Sequence, residues 1–113
     1  MSEITIRGWI ELPSRLLFDG AVAVVGLDDV TQIDSRSKRV AETVIERICG
    51  WQDRIPFNLE ARGDFQARNS YVLAAEIRCA GKKHLGPGDF LTTVAVPWTV
   101  DKTDGNLVPI TRI

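Results

Sequence analysis

The feature that most constrains the fold is a stretch of twelve residues from Gly20 to Thr31, GAVAVVGLDDVT, in which side-chain character alternates with a period of two. One alternating set is apolar throughout and comprises Ala21, Ala23, Val25 and Leu27. The other set becomes polar at its far end and comprises Val22, Val24, Gly26 and Asp28. Because successive side chains of a strand point to opposite faces, this pattern predicts a central β-strand. One of its faces lies on a core, and the other is partly exposed.

The same alternation in other segments predicts an all-β fold. Further strands are expected at 3–11, 54–60, 71–79, 90–98 and 107–113. Arg15 to Gly20 is interpreted as a connection and Gly50 to Asp53 as a turn. Residues 39–49 fit a helix by their spacing and charges and a strand by their β-branched residues, and the β surroundings favour the strand. About seven short strands with at most one short helix indicate a small two-sheet β-sandwich, formed by all 113 residues as one domain.

The charge pattern argues against nucleic-acid and membrane-surface binding. Formal net charge is -1 with the two signs interspersed, which gives little general attraction to a polyanion. No run approaches the roughly 20 apolar residues of a transmembrane helix. The N-terminus lacks the basic start and apolar centre of a secretory signal, so the sequence as it stands predicts a cytoplasmic location. Cys49 and Cys79 are too few for a disulfide framework, and we expect both to be buried thiols.

Candidate catalytic and metal-binding groups are sparse. Asp28 and Asp29 are neighbours on a strand and point to opposite faces, so we expect them to end the strand and cap the next turn. A lone His84 beside Lys82 and Lys83 lacks the clustered ligands of a zinc site and the partners of a catalytic nucleophile. The run Gly86-Pro-Gly88 lacks the features of a phosphate loop, and the basic groups at 36–39 and 82–83 fit solvated turns. The sequence therefore predicts no catalytic residue, metal ligand or cofactor.

The three tryptophans have two interpretations. Trp9 falls on the mixed face of the first strand, Trp51 in the expected turn, and Trp98 near the end of a late strand. All three can pack at the rim of a sandwich, since Trp is usually largely buried. Alternatively, Trp51 or Trp98 contacts a partner protein, because exposed aromatic residues are enriched at binding hot spots.

Several segments resemble the YbaY/YscW lipoproteins, that is, type III secretion lipoprotein chaperones (pilotins) and their relatives. The resemblance runs from Ile6 to Gly81 with a weaker tail, through 8–15 (GWIELPSR), 19–31 (DGAVAVVGLDDVT), 55–59 (IPFNL), 70–78 (SYVLAAEIR) and Gly81. It implies a small transthyretin-like β-sandwich that binds another protein and catalyses nothing. It also implies the lipid-anchored, periplasm-facing location of typical members.

Two functional hypotheses result. In the first, the chain is a non-enzymatic, chaperone-like module for a secretion or envelope component, which uses a sheet edge or an aromatic patch and is compatible with homo-oligomers. In the second, it is a small-molecule binder or minor hydrolase on a transthyretin-like scaffold. The polar groups available to the second are His84, Arg78 and Asp89.

Overall fold

Seven β-strands make up the structure, a computed structural model that describes residues 2–32, 37–65, 68–79 and 86–113, and no helix occurs in those ranges. The strands are β1 (Ser2–Asp29), β2 (Lys38–Gly63), β3 (Tyr71–Arg78), β4 (Phe90–Leu91), β5 (Val96–Trp98), β6 (Asn106–Pro109) and β7 (Thr111–Arg112). The prediction of an all-β fold with about seven strands is confirmed. Residues 39–49, which the sequence left open, lie in β2.

A long antiparallel hairpin of β1 and β2 organises the molecule. It is paired from Ser2 opposite Gly63 to Asp29 opposite Lys38, with an interruption where five steps of β1, Glu11 to Leu16, face only two of β2. On either side of the interruption, β1 has different second neighbours. The first layer consists of residues 2–12 of β1, residues 54–63 of β2 and the parallel strand β6. The second layer consists of residues 16–29 of β1 and 38–52 of β2 together with β3, β4, β5 and β7.

One extra residue in β1 keeps both layers facing the same interior. Even-numbered residues such as Ile10 and Phe18 are buried in the earlier part of β1, and odd-numbered ones such as Ala21 and Leu27 in the later part. The change occurs at Gly20, which is unmatched in β2 and has a φ of 78°. Glycine adopts this backbone conformation at little cost, and a bulge of one residue reverses the alternation.

A single hydrophobic core joins the two layers. The five residues that the period-two pattern placed inside, Val25, Leu27, Phe57, Leu73 and Ile77, all belong to this cluster and are at most 4% exposed. Ile6, Ile10 and Leu59 of the first layer are completely buried in the same cluster.

The side of the molecule opposite β2 is closed by two segments that cross between the layers. After β5, the backbone oxygen of Thr103 accepts a hydrogen bond from the Arg7 amide of the first layer (2.9 Å). After β6, the buried Ile110 donates to the Glu11 carbonyl (3.0 Å), and the chain then pairs with β4 through β7.

Three boundaries differ from the sequence-based prediction. The connection at 15–20 and the turn at 50–53 are wrong, because both segments continue the hairpin and Leu17 lies opposite Trp51. Pro13 falls within the unmatched part of β1, so it interrupts the register without ending the strand. The strand predicted at 90–98 is broken into β4 and β5. Between these strands, Thr92 bonds to Ala75 of β3 twice. Its hydroxyl accepts from the Ala75 amide, and its amide donates to the Ala75 carbonyl, both at 2.9 Å.

The expected burial of both cysteines is also wrong. Cys49 is exposed on β2, and Cys79 is partly buried at the end of β3, where its thiol donates to the Gly88 carbonyl (3.4 Å). The two residues flank β1 on opposite sides. Two interstrand spacings amount to about 10 Å, beyond the roughly 7 Å between Cα atoms that a disulfide tolerates. An intrachain disulfide is therefore incompatible with this fold.

Candidate partner-binding surfaces

The most exposed pair of large apolar side chains lies where the hairpin is interrupted. Leu17 and Trp51 are directly opposite each other in the β1–β2 ladder, and their exposures are 63% and 59%. The Arg15 guanidinium carbon lies 5.6 Å from the centre of a Trp51 ring, which is cation–π geometry. We call Arg15, Leu17 and Trp51 the bend patch.

Strand alternation explains why Leu17 is outside. In an apolar run of three, Leu16-Leu17-Phe18, the middle residue must point away from the face that its neighbours share. Phe18 is buried and packs edge-on against Phe90, with ring centres 6.1 Å apart. Interpreting this run as a core-closing connection hid the exposure of Leu17, whereas continuing the strand through it would have shown it.

Trp98, the second predicted contact residue, belongs to the interior. It is 3% exposed, and its indole N–H donates to the Lys102 carbonyl (2.8 Å). Its ring packs edge-to-face against Phe65 and Tyr71, with centres 5.5 and 5.9 Å apart. The fold itself therefore uses most of the Trp98 surface, which leaves Trp51 as the better exposed of the two candidates.

The edge of Trp98 contributes to a small apolar cleft beside the start of β3 and the end of β5. This aromatic cleft has a volume of about 170 Å³ and is lined by Phe65, Asn69, Tyr71, Trp98, Thr99, Val100 and Asp101. Val100, 43% exposed, is at its rim. The Asp101 carboxylate accepts a hydrogen bond from the Thr99 hydroxyl (2.5 Å), which holds the pKa of Asp101 below its ordinary value.

The two adjacent carboxylates separate as predicted. Asp28 accepts from the Arg39 Nε (2.5 Å) on the outer face. Asp29 ends β1 and accepts from the Thr31 amide (2.9 Å) and hydroxyl (2.5 Å). The hydroxyl bond is the main reason that the pKa of Asp29 is lowered, with smaller contributions from the Thr31 amide and Lys38. Asp29 therefore ends the strand and caps the turn as predicted, whereas the prediction is wrong for Asp28, which pairs across the ladder with Arg39.

The polar groups of the ligand-binding hypothesis have structural partners of their own. Arg78 pairs with Glu76 (Nε–Oε2 3.0 Å). Asp89 is completely buried and accepts from the amides of Cys79 (2.9 Å) and Gly86 (2.8 Å). The remaining candidate, His84, lies outside the described residues, as do Arg36, Lys82 and Lys83. Within the described ranges, no group of three or more His, Cys, Asp or Glu side chains is arranged to hold a metal ion.

The comparisons with known proteins identify the family. Residues 1–94 match the family model described as type III secretion system lipoprotein chaperone (YscW). The chain belongs to this family. An alternative pilotin from the type II secretion system of Vibrio cholerae is similar in structure, with a TM-score of 0.72 and 20% sequence identity over 99% of this chain and 100% of that one. At this identity, the likeness shows a shared fold. No curated protein matches the sequence.

Family membership places the two surfaces in context. A chaperone of a secretion system acts by contact with other proteins, and the described part of this YscW-family chain offers an exposed bend patch and an aromatic cleft. None of the described segments forms a helix able to span a membrane. The sequence indicated Trp51 but gave no sign of the cleft, because Phe65, Trp98 and Val100 come together only through the sheet topology.

Proposed function

We propose that this YscW-family chain is a non-enzymatic, chaperone-like protein that binds a component of a secretion system or of the cell envelope, and that the bend patch carries the contact. The observation that carries the assignment is the exposed pair Leu17 and Trp51 beside Arg15. Trp and Arg are the residue types most enriched at binding hot spots, and the adjacent Leu17 supplies apolar area that a partner can bury.

Among the described residues no reaction centre is assembled, which supports a binding role over a catalytic one. In the described part of the chain, the acidic groups with shifted pKa values, Asp29 and Asp101, each accept a hydrogen bond from a threonine hydroxyl two residues away in the sequence. Catalysis requires a nucleophile or acid–base group within hydrogen-bonding reach of a partner group in a cleft. Asp29 and Asp101 instead stabilise the local backbone through their bonds to Thr31 and Thr99.

Retention of partners by immobilised protein tests the proposal. Wild-type protein and the Trp51→Ala variant are exposed to detergent-solubilised extract of the native host, and bound proteins are identified by mass spectrometry. We expect wild-type protein to retain a secretion or envelope component, and Trp51→Ala to bind it about 30-fold more weakly, as for loss of a hot spot worth about 2 kcal/mol.

A matched control comes from Val94, which is 69% exposed and lies away from the patch in the segment between β4 and β5. The Val94→Ser variant should retain the same component as wild-type protein. Equal retention by Trp51→Ala would show that the bend patch is not the contact. Failure of wild-type protein to retain any secretion or envelope component would count against the binding role itself.

The aromatic cleft supports a second candidate, binding of a small apolar molecule. Its volume of about 170 Å³ matches a compact ring system or a short aliphatic chain, smaller than the roughly 300 Å³ at which drug-sized sites begin. A panel of small apolar molecules should raise the melting temperature of wild-type protein if this candidate is correct. The Val100→Asp variant, which places a charge at the rim, should abolish the shift; no shift in wild-type protein excludes the candidate for that panel.

A further inference from the structure

The outer face of the first layer carries a row of exposed apolar side chains. Trp9 of β1 is opposite Pro56 of β2 on one side and Leu107 of β6 on the other. Residues opposite each other in neighbouring strands share a face, so the three side chains lie in line across the sheet. Trp9 and Leu107 are 40% and 38% exposed, and Pro56 is also exposed. We call these three residues the apolar row.

Charges of opposite sign flank the row at equal distances. Arg7 and Glu11 share the outer face with Trp9, because they are two residues before it and two after it on β1. Each is therefore about 6.6 Å from Trp9 along the strand. Arg7 is exposed and has no carboxylate partner in the described ranges, and Glu11 has a loose ion pair with Arg54 (3.6 Å) at the surface.

We propose that this face is a self-association surface whose partner is a second copy of the chain. A two-fold axis that passes above the Trp9 side chain, parallel to the sheet and perpendicular to β1, reverses the strand direction in the second copy. The apolar rows then face each other, Arg7 faces Glu11 of the second copy, and Glu11 faces Arg7 of the second copy. An isologous contact needs such a self-complementary arrangement of charge.

The natural twist of β-sheets is compatible with this arrangement. Packed sheets cross at about 30° and lie about 10 Å apart. A 30° rotation about the normal to the sheets at Trp9 displaces a residue 6.6 Å from Trp9 by about 3.5 Å. Arg and Glu side chains are long enough to span that offset, so both ion pairs can form together.

The size of the face predicts a weak dimer. Three strands about 4.8 Å apart, each contributing up to seven residues at about 3.3 Å, give a footprint of roughly 300 Å² per copy. Standard stable interfaces bury about 800 Å² per partner, so we expect association that depends on concentration in the micromolar range or above.

The edge of β2 is a poorer site for self-association. Pro56 cannot donate a backbone hydrogen bond, and Arg47 and Gly50 have positive φ values of 57° and 81° that disturb the extended backbone. Proline and bulges of this kind discourage pairing between sheet edges.

Sedimentation equilibrium over a concentration series tests the proposal. We expect the average mass of wild-type protein to rise from 12.5 kDa toward twice that value, and Trp9→Ala to remain at the monomer mass throughout. Trp51→Ala should associate like wild-type protein, which separates this surface from the bend patch and its proposed partner. A wild-type chain that stays monomeric to millimolar concentration overturns the proposal.

Charge reversal tests the symmetry itself. Arg7→Glu and Glu11→Arg should each weaken association at least tenfold, because each places like charges opposite each other at two points. The double variant with both reversals should recover association, because the two ion pairs between the copies are restored with their signs exchanged. Association unchanged by the single reversals, or not recovered by the double one, would place the contact elsewhere and overturn the proposal.

Discussion

The outer faces of the two layers differ although the same hairpin supplies both. The first layer exposes apolar side chains in line, with Trp9 at the centre. The second layer has an ion-pair network in the corresponding place, where Arg39 lies over Gly26 and pairs with Asp28 (2.5 Å) and Glu42 (3.0 Å). The inner faces of the two layers are alike, because both bury aliphatic side chains in one core.

This difference shows that one strand sets core burial and surface contact independently, because inward and outward residues alternate along it. Exposed ion pairs such as that of Arg39 with Glu42 contribute little stability, typically below about 1 kcal/mol. They do keep this end of the second layer hydrated and charged, which disfavours contact with an apolar surface there, whereas the bend patch lies at the other end of the same layer. The ion pair described near Trp9 in the first layer is the loose one of Glu11 with Arg54 (3.6 Å), and the apolar row beside it remains suited to contact another protein surface.

The largest expected effect separates the interior from the outer face. Trp98→Ala removes a buried ring and leaves a cavity, so we expect a loss of about 3–5 kcal/mol in the free energy of unfolding. Trp9→Ala, on the outer face of the first layer, should lose less than about 1 kcal/mol, as for an exposed substitution. Urea denaturation measures both. Similar losses would show that Trp9 has a structural role and would weaken the contrast between faces.

The next effect compares one glycine in each layer. A Cβ at Gly8 would lie 1.9 Å from the backbone oxygen of Asn106 in β6, whereas a Cβ at Gly26 would meet the Arg39 guanidinium nitrogen at 2.0 Å. A backbone strand cannot move aside without breaking its pairing, but a long side chain can. We expect Gly8→Ala to cost about 2–4 kcal/mol and Gly26→Ala less than about 1 kcal/mol by urea denaturation. Equal costs would mean that the Arg39 network is as rigid as the backbone.

A smaller effect concerns the network on the second layer. Arg39→Ala should lower the free energy of unfolding by less than about 1 kcal/mol, because the Arg39 side chain is 40% exposed. The loss should shrink further at high salt, where exposed charges are screened. Denaturation at low and high salt measures it. A large, salt-independent loss would indicate that Arg39 acts mainly by packing over Gly26.

The smallest effect is expected at the end of β1. Thr31→Val removes the hydroxyl bond that does most to lower the pKa of Asp29, so that pKa should rise toward its ordinary value in a carboxyl NMR titration. A lowered folded-state pKa stabilises the protein above the unfolded-state pKa, and this contribution is lost as the pH falls through the folded-state value. The variant should therefore show a weaker acid dependence of stability than wild-type protein. An unchanged Asp29 pKa would contradict the assignment.

The sequence alone predicted the β class, the buried face of each strong strand and the separation of Asp28 from Asp29. These properties follow from local alternation, since neighbouring side chains of a strand must point to opposite faces. The strand pattern and the motifs at 19–31 and 55–59 also indicated the family that the comparison over residues 1–94 then showed.

Only the tertiary structure decided that residues 15–20 and 50–53 continue the hairpin, that Cys49 is exposed and that Trp98 is buried beside Phe65 while Trp51 is not. Each of these outcomes depends on partners distant in sequence. Extra residues such as Gly20 are bulges only in relation to the opposite strand, and a tryptophan is buried only if another element covers it. The apolar row arises in the same way, because Trp9, Pro56 and Leu107 become neighbours only through the pairing of three strands.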